Sequence, residues 1–82
     1  MASLQEAEAA RRKFSRDLAG IGAHAIEVVA LGRGATKDFV LRAHFVSKPK
    51  PLPPKLLRFR LRDKDVSVRL IVKQSPVFKL DI

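Results

Sequence analysis

His24, His44 and Glu27 are the residues of this chain best suited by type to move protons or hold a metal, so their surroundings decide whether such chemistry is expected. Neither histidine has a second ligand or a carboxylate at the spacing of a zinc site. The sequence has no cysteine, which removes thiolate metal sites and disulfides together. His44 shares one face of a predicted strand with Arg42 and reads as a surface residue, and Glu27 has no partner carboxylate in the pattern. Ser15, Ser47, Ser67 and Ser75 sit in no nucleophile elbow, and Gly32-Arg33-Gly34 lacks the third glycine and the following helix of a dinucleotide loop. The sequence therefore predicts no catalytic residue, no metal site and no cofactor.

Basic charge is the stronger signal. The chain carries 17 Lys and Arg against 8 Asp and Glu, a net charge of +9. Residues 1–40 hold six basic and five acidic side chains, a balance of +1, whereas residues 41–82 hold eleven against three, a balance of +8. A field of this sign raises encounter rates with acidic proteins, nucleic acid and anionic lipid alike, so it selects a class of partner. If Leu57–Arg62 and Val66–Lys73 pair about an Asp63-Lys64 turn, Leu57 faces Leu70, Phe59 faces Val68 and Leu61 faces Val66. On the other side Arg58 then faces Arg69, Arg60 faces Ser67 and Arg62 faces Asp65. Arg58, Arg60, Arg62, Arg69 and Lys73 become a partner-binding face, whose mutual repulsion an anionic partner would reverse.

Arg11, Arg12, Lys13 and Arg16 on a helix, with Arg42 on a strand, form a secondary basic set. Single-strand and RNA readers stack bases on exposed aromatics, but there is no Trp or Tyr, and Phe14, Phe39, Phe45 and Phe59 fall on core-facing positions. The expected partner is an acidic protein surface. The alternative is phosphate-backbone binding of duplex DNA or structured RNA. A membrane partner is disfavoured because no aromatic or leucine-rich wedge accompanies the charge.

The elements that must position these residues follow from periodicity. Ser3 and Glu6 have capping-box spacing, and Leu4, Ala7, Ala10, Phe14, Leu18 and Ile21 recur at three and four residues, which predicts a helix over 4–19 with Gly20 and Gly22 to end it. Glu6 and Glu8 near its start and the basic residues towards its end suit the helix dipole. The period then falls to two. Strands are predicted over 25–31, 39–46, 57–62, 66–73 and 77–82, the first with apolar residues on both faces and therefore covered on both sides, the first two joined as a hairpin. The expected fold is α+β: one domain over 1–82, a helix packed on a mostly antiparallel four- or five-stranded sheet, with the basic hairpin face left open.

Lys48-Pro49-Lys50-Pro51-Leu52-Pro53-Pro54 cannot run through a sheet interior, because proline removes donors and fixes φ. It could lie as polyproline II in an aromatic groove of a partner. A stiff connector around the sheet is the more economical expectation. With Gln5, Glu6 and Glu8 where a signal peptide needs basic and apolar residues, and no apolar run long enough to span a bilayer, the chain is expected in the cytoplasm. An ending in mid-alternation, Phe78-Lys79-Leu80-Asp81-Ile82, suggests an excised or minimal domain.

Ile26–Gly32, then Leu41-Arg42-Ala43-His44-Phe45-Val46, Lys48-Pro49, Leu52-Pro53 and Val66-Ser67-Val68, resemble the small domain that precedes many bacterial trypsin-like serine proteases. The similarity covers about residues 20–72. The family's glycine-rich first strand is here Ile-Glu-Val-Val-Ala-Leu, and no protease body or catalytic triad follows in these 82 residues. The resemblance implies an α+β accessory domain acting through protein contacts, regulating or targeting an enzyme. It assigns no binding residue.

Overall fold

The computed structural model describes residues 2–75, so the strand expected at 77–82 lies outside the described residues. One helix, α1 (Leu4–Gly20), is followed by four strands: β1 (Ala23–Leu31), β2 (Asp38–Phe45), β3 (Leu56–Leu61) and β4 (Lys64–Gln74). The strands form one sheet in the order β1-β2-β4-β3, with α1 packed against one side of it. The architecture is α+β.

Local chemistry sets the ends of α1. The Ser3 hydroxyl accepts from the Glu6 backbone N–H at 3.1 Å, while Glu6 Oε1 accepts from the Ser3 backbone N–H at 2.8 Å, so two orphan donors are satisfied reciprocally. That Ser3 N–H, helped by Lys64 at 3.6 Å, holds the Glu6 carboxyl below its ordinary pKa. At the other end Gly20 remains helical, and Gly22 alone supplies the left-handed residue, with φ +108° and its N–H on the Ala19 carbonyl. The basic residues fall mid-helix: the last turn has none, so the expected complement to the C-terminal dipole is absent.

The apolar stripe of α1 is buried at Ala7, Ala10 and Leu18, but Leu4 and Ile21 at its two ends are exposed. The small alanines let the helix lie close over the inner side of the sheet, where Leu41, Ala43, Phe45, Leu57, Val66, Val68 and Leu70 complete the core. Each large side chain removed fully from water here contributes roughly 1.5–3 kcal/mol. Phe14 on α1 meets Phe59 on β3 edge to face, ring centroids 5.9 Å apart. The chain ahead of the helix is tied down as well: the Ala2 N–H donates to Asp38 Oδ1 at 2.8 Å, and its carbonyl accepts from the Phe39 N–H at 3.0 Å.

The β1–β2 hairpin forms as expected, antiparallel, with Ile26 opposite Ala43, Glu27 opposite Arg42 and Val28 opposite Leu41. β1 is however an edge strand, half-buried over Ile26–Val29 and largely exposed towards its ends, not a strand covered on both sides along its length. A bulge between Ala23 and Ala25 sets His24 out of the ladder.

β2 and β4 pair in parallel, Leu41 beside Leu70 and His44 beside Lys73. The proline-rich segment after β2 carries the chain past one strand position, β3 takes the far edge, and the β3–β4 hairpin returns β4 into the gap. The segment is thus a connector around the sheet, anchored by buried Pro49.

The hairpin register differs from the expected one. Leu57 faces Val68, Phe59 faces Val66, Arg58 faces Ser67 and Arg60 faces Asp65, about an Arg62-Asp63 turn. Moving the turn back by one residue shifts each pairing by two, which leaves the inward and outward sets unchanged. It also removes the expected Arg58–Arg69 confrontation, places Arg60 across from an acid, and brings Lys64 to Glu6. The cost falls on Arg62, held at φ +57°.

Candidate partner-binding face

The side of the sheet away from α1 is built by the outward residues of four strands. From β3 it receives Leu56, Arg58 and Arg60, and from β4 Asp65, Ser67, Arg69, Ile71 and Lys73. Arg58, Arg60, Arg69 and Lys73 are all exposed there. Among the described residues the salt-bridge contacts are Arg42–Glu27 and Lys64–Glu6, with His44 hydrogen-bonded to Glu27, so none of these four cations has a carboxylate partner among those residues. Arg62 belongs to the turn and not to the face.

The secondary basic set is not brought to this surface. Arg11, Arg12, Lys13 and Arg16 are exposed on α1, on the opposite side of the sheet. Arg42 does lie on the outer face, but its Nε donates to Glu27 Oε1 at 2.6 Å, which neutralises it locally.

Around Arg42 lies a cluster that the pattern of residues did not reveal. Glu27 Oε1 also accepts from His44 Nε2 at 2.6 Å, and on the other side of the ring Ser75 Oγ is 2.9 Å from His44 Nδ1. In the tautomer with its proton on Nε2, the one that suits the carboxylate, Nδ1 accepts from the Ser75 hydroxyl. His24 Nε2 reaches the Ser75 carbonyl at 3.1 Å. The hydrogen bond from Arg42, followed by that from His44, draws the Glu27 carboxyl from its ordinary 4.5 down to about 2. Antiparallel pairing of Glu27 with Arg42, and the step of two from Arg42 to His44, were signals available in the sequence; the arrival of Ser75 was not, since it depends on the parallel β2–β4 pair.

A serine, an imidazole and a carboxylate in series have the connectivity of a nucleophile relay. Here the Ser75 N–H already donates to the Phe45 carbonyl at 2.8 Å, so it does not point at a developing oxyanion. What the arrangement does is tie the end of β4 to β2 and β1. Beside Arg42 on this face lies half-buried Ile71 of β4, and exposed Leu56 follows on β3, whereas outward-pointing Val40 of β2 is fully buried.

No group of three His, Cys, Asp or Glu among the described residues could hold a metal ion, and no helix among them is long and apolar enough to cross a membrane. No protein-family model matches the chain, and no curated protein or solved structure matches it either.

Proposed function

We propose that the chain is a non-enzymatic basic interaction module that docks an acidic protein surface on the outer face of its sheet, as an accessory or regulatory domain or as a subunit of a complex. The observation that carries this reading is the exposure of Arg58, Arg60, Arg69 and Lys73 on one face, opposite the helix and without carboxylate partners among the described residues. Acidic groups on a partner complement these cations, which have no carboxylate partner of their own among the described residues. Exposed Leu56 and half-buried Ile71 beside them supply the apolar contact that a protein interface uses and a phosphate backbone does not.

Phosphate binding is the competing outcome. It is less well supported because the helix cations lie on the other side of the sheet, so the charge forms two separate surfaces and no single track for a duplex. The test compares an acidic polypeptide with a mixed-sequence DNA duplex at 50 and 200 mM salt, conditions across which a protein making many phosphate contacts loses about 10³–10⁵ in affinity. Binding of the polypeptide with little or no binding of the duplex is the expected result. Tighter binding of the duplex, with a steep linear loss of log affinity against log salt, would replace the proposal.

A further inference from the structure

The basic face contains a notch. β4 pairs with β3 as far as Arg69 and accepts one further contact, the Leu70 N–H donating to the Lys55 carbonyl at 2.8 Å. From Ile71 to Gln74 its described pairing is with β2 alone. The reason lies in the connector: Pro53 and Pro54 precede Lys55 and have no N–H to offer, so the ladder cannot continue along β4. Alternation along the strand turns the N–H and C=O of Val72 to the same side as those of Leu70, where they have no backbone partner among the described residues. Beside this edge is a groove of about 530 Å³, whose apolar lining includes Leu52, Leu56 and Ile71. Lys48, Lys55 and Arg69 line it as well, with no acidic residue among the lining. Leu52 is 57% exposed and Leu56 40%, a cost that stands uncompensated in the free chain.

We propose that this notch receives a short extended segment of an acidic protein, with one apolar side chain seated in the groove. Three features select that occupant together. The open edge offers backbone hydrogen bonds to an added strand, which supply affinity without regard to sequence. The volume admits a large aliphatic or aromatic anchor together with the backbone that carries it, an anchor of the kind that dominates binding energy at interfaces. The surrounding ammonium and guanidinium groups require carboxylates on the residues flanking the anchor. This inference rests on the proposed docking of an acidic partner and narrows it to a motif: an apolar anchor flanked by Asp or Glu in a β conformation.

The experiment titrates the full chain with two fluorescent eight-residue peptides of Asp and Glu, identical except for Leu or Ser at a central position. The Leu peptide is expected to bind about tenfold or more tightly, in keeping with burial of one large aliphatic side chain. Leu52→Asp, at an exposed position that tolerates a polar group, is expected to abolish the difference between the peptides while leaving the melting temperature unchanged. Equal affinity for the two peptides would overturn the notch while leaving the basic face as the docking surface. Failure of both peptides to bind at low salt would remove the acidic-partner reading as well. Binding to anionic phosphatidylglycerol vesicles but to neither peptide would reassign the groove to lipid.

Discussion

Glu27 and His44 meet across β1 and β2 at 2.6 Å, on the same carboxylate oxygen that Arg42 reaches. Because the Glu27 pKa is drawn down to about 2, the carboxylate contributes stability that is present in full above its ordinary value of 4.5 and is lost as pH falls through about 2. Glu27→Gln removes that contribution. The difference in urea midpoint between wild type and variant is therefore expected to be constant at and above pH 5 and to shrink as the pH is lowered towards 2. A difference that stays constant to pH 2 would show that the ion pair and hydrogen bonds do not stabilise the fold.

Phe59 is the inward residue of β3 that engages the helix through Phe14. Phe59→Ala is expected to destabilise the domain by about 2–4 kcal/mol, less for Phe59→Leu, by loss of transfer energy and of the edge-to-face contact. Equilibrium denaturation in urea measures both.

Arg62 occupies a left-handed conformation in the hairpin turn. Arg62→Gly is expected to raise stability by roughly 0.5–1 kcal/mol, and Arg62→Val to lower it by more than that. Since Arg62 belongs to the turn and not to the outer face, the glycine variant is expected to retain most of the affinity for an acidic polypeptide.

Ser3 carries one half of the capping box. Ser3→Ala is expected to cost about 1 kcal/mol, read from thermal melts followed at the helix signal.

The kinds of element and their faces could be read from the sequence because a period of 3.6 and a period of two are direct consequences of backbone geometry. Phe45, Leu57, Val66, Val68 and Leu70 were assigned inward by alternation and are buried. The register of Leu57 and its neighbours could not be read this way, since a shift of two residues preserves each inward and outward assignment; the charges on Arg58, Arg60 and Arg69 and the placement of Lys64 decide it. Strand order depends on where the proline connector delivers β3, a tertiary property with no local pattern. That is why the parallel β2–β4 pair, the Ser75–His44 contact and the notch beside Ile71 were not legible. The basic face was legible as a set, with Arg62 and Arg42 as the residues whose environments differ from expectation.

Net charge alone would draw this chain to any polyanion, so location has to be separated from sum. Two triple variants have the same change in charge: Arg58→Glu, Arg60→Glu and Arg69→Glu on the outer face, and Arg11→Glu, Arg12→Glu and Arg16→Glu on the helix. Titrating each, with wild type, against an acidic polypeptide at 0.15 M salt and checking each fold by its thermal melt compares the two surfaces directly. The outer-face variant is expected to lose at least tenfold more affinity than the helix variant. Equal losses, or a greater loss from the helix, would contradict the assignment of the partner to the open face of the sheet.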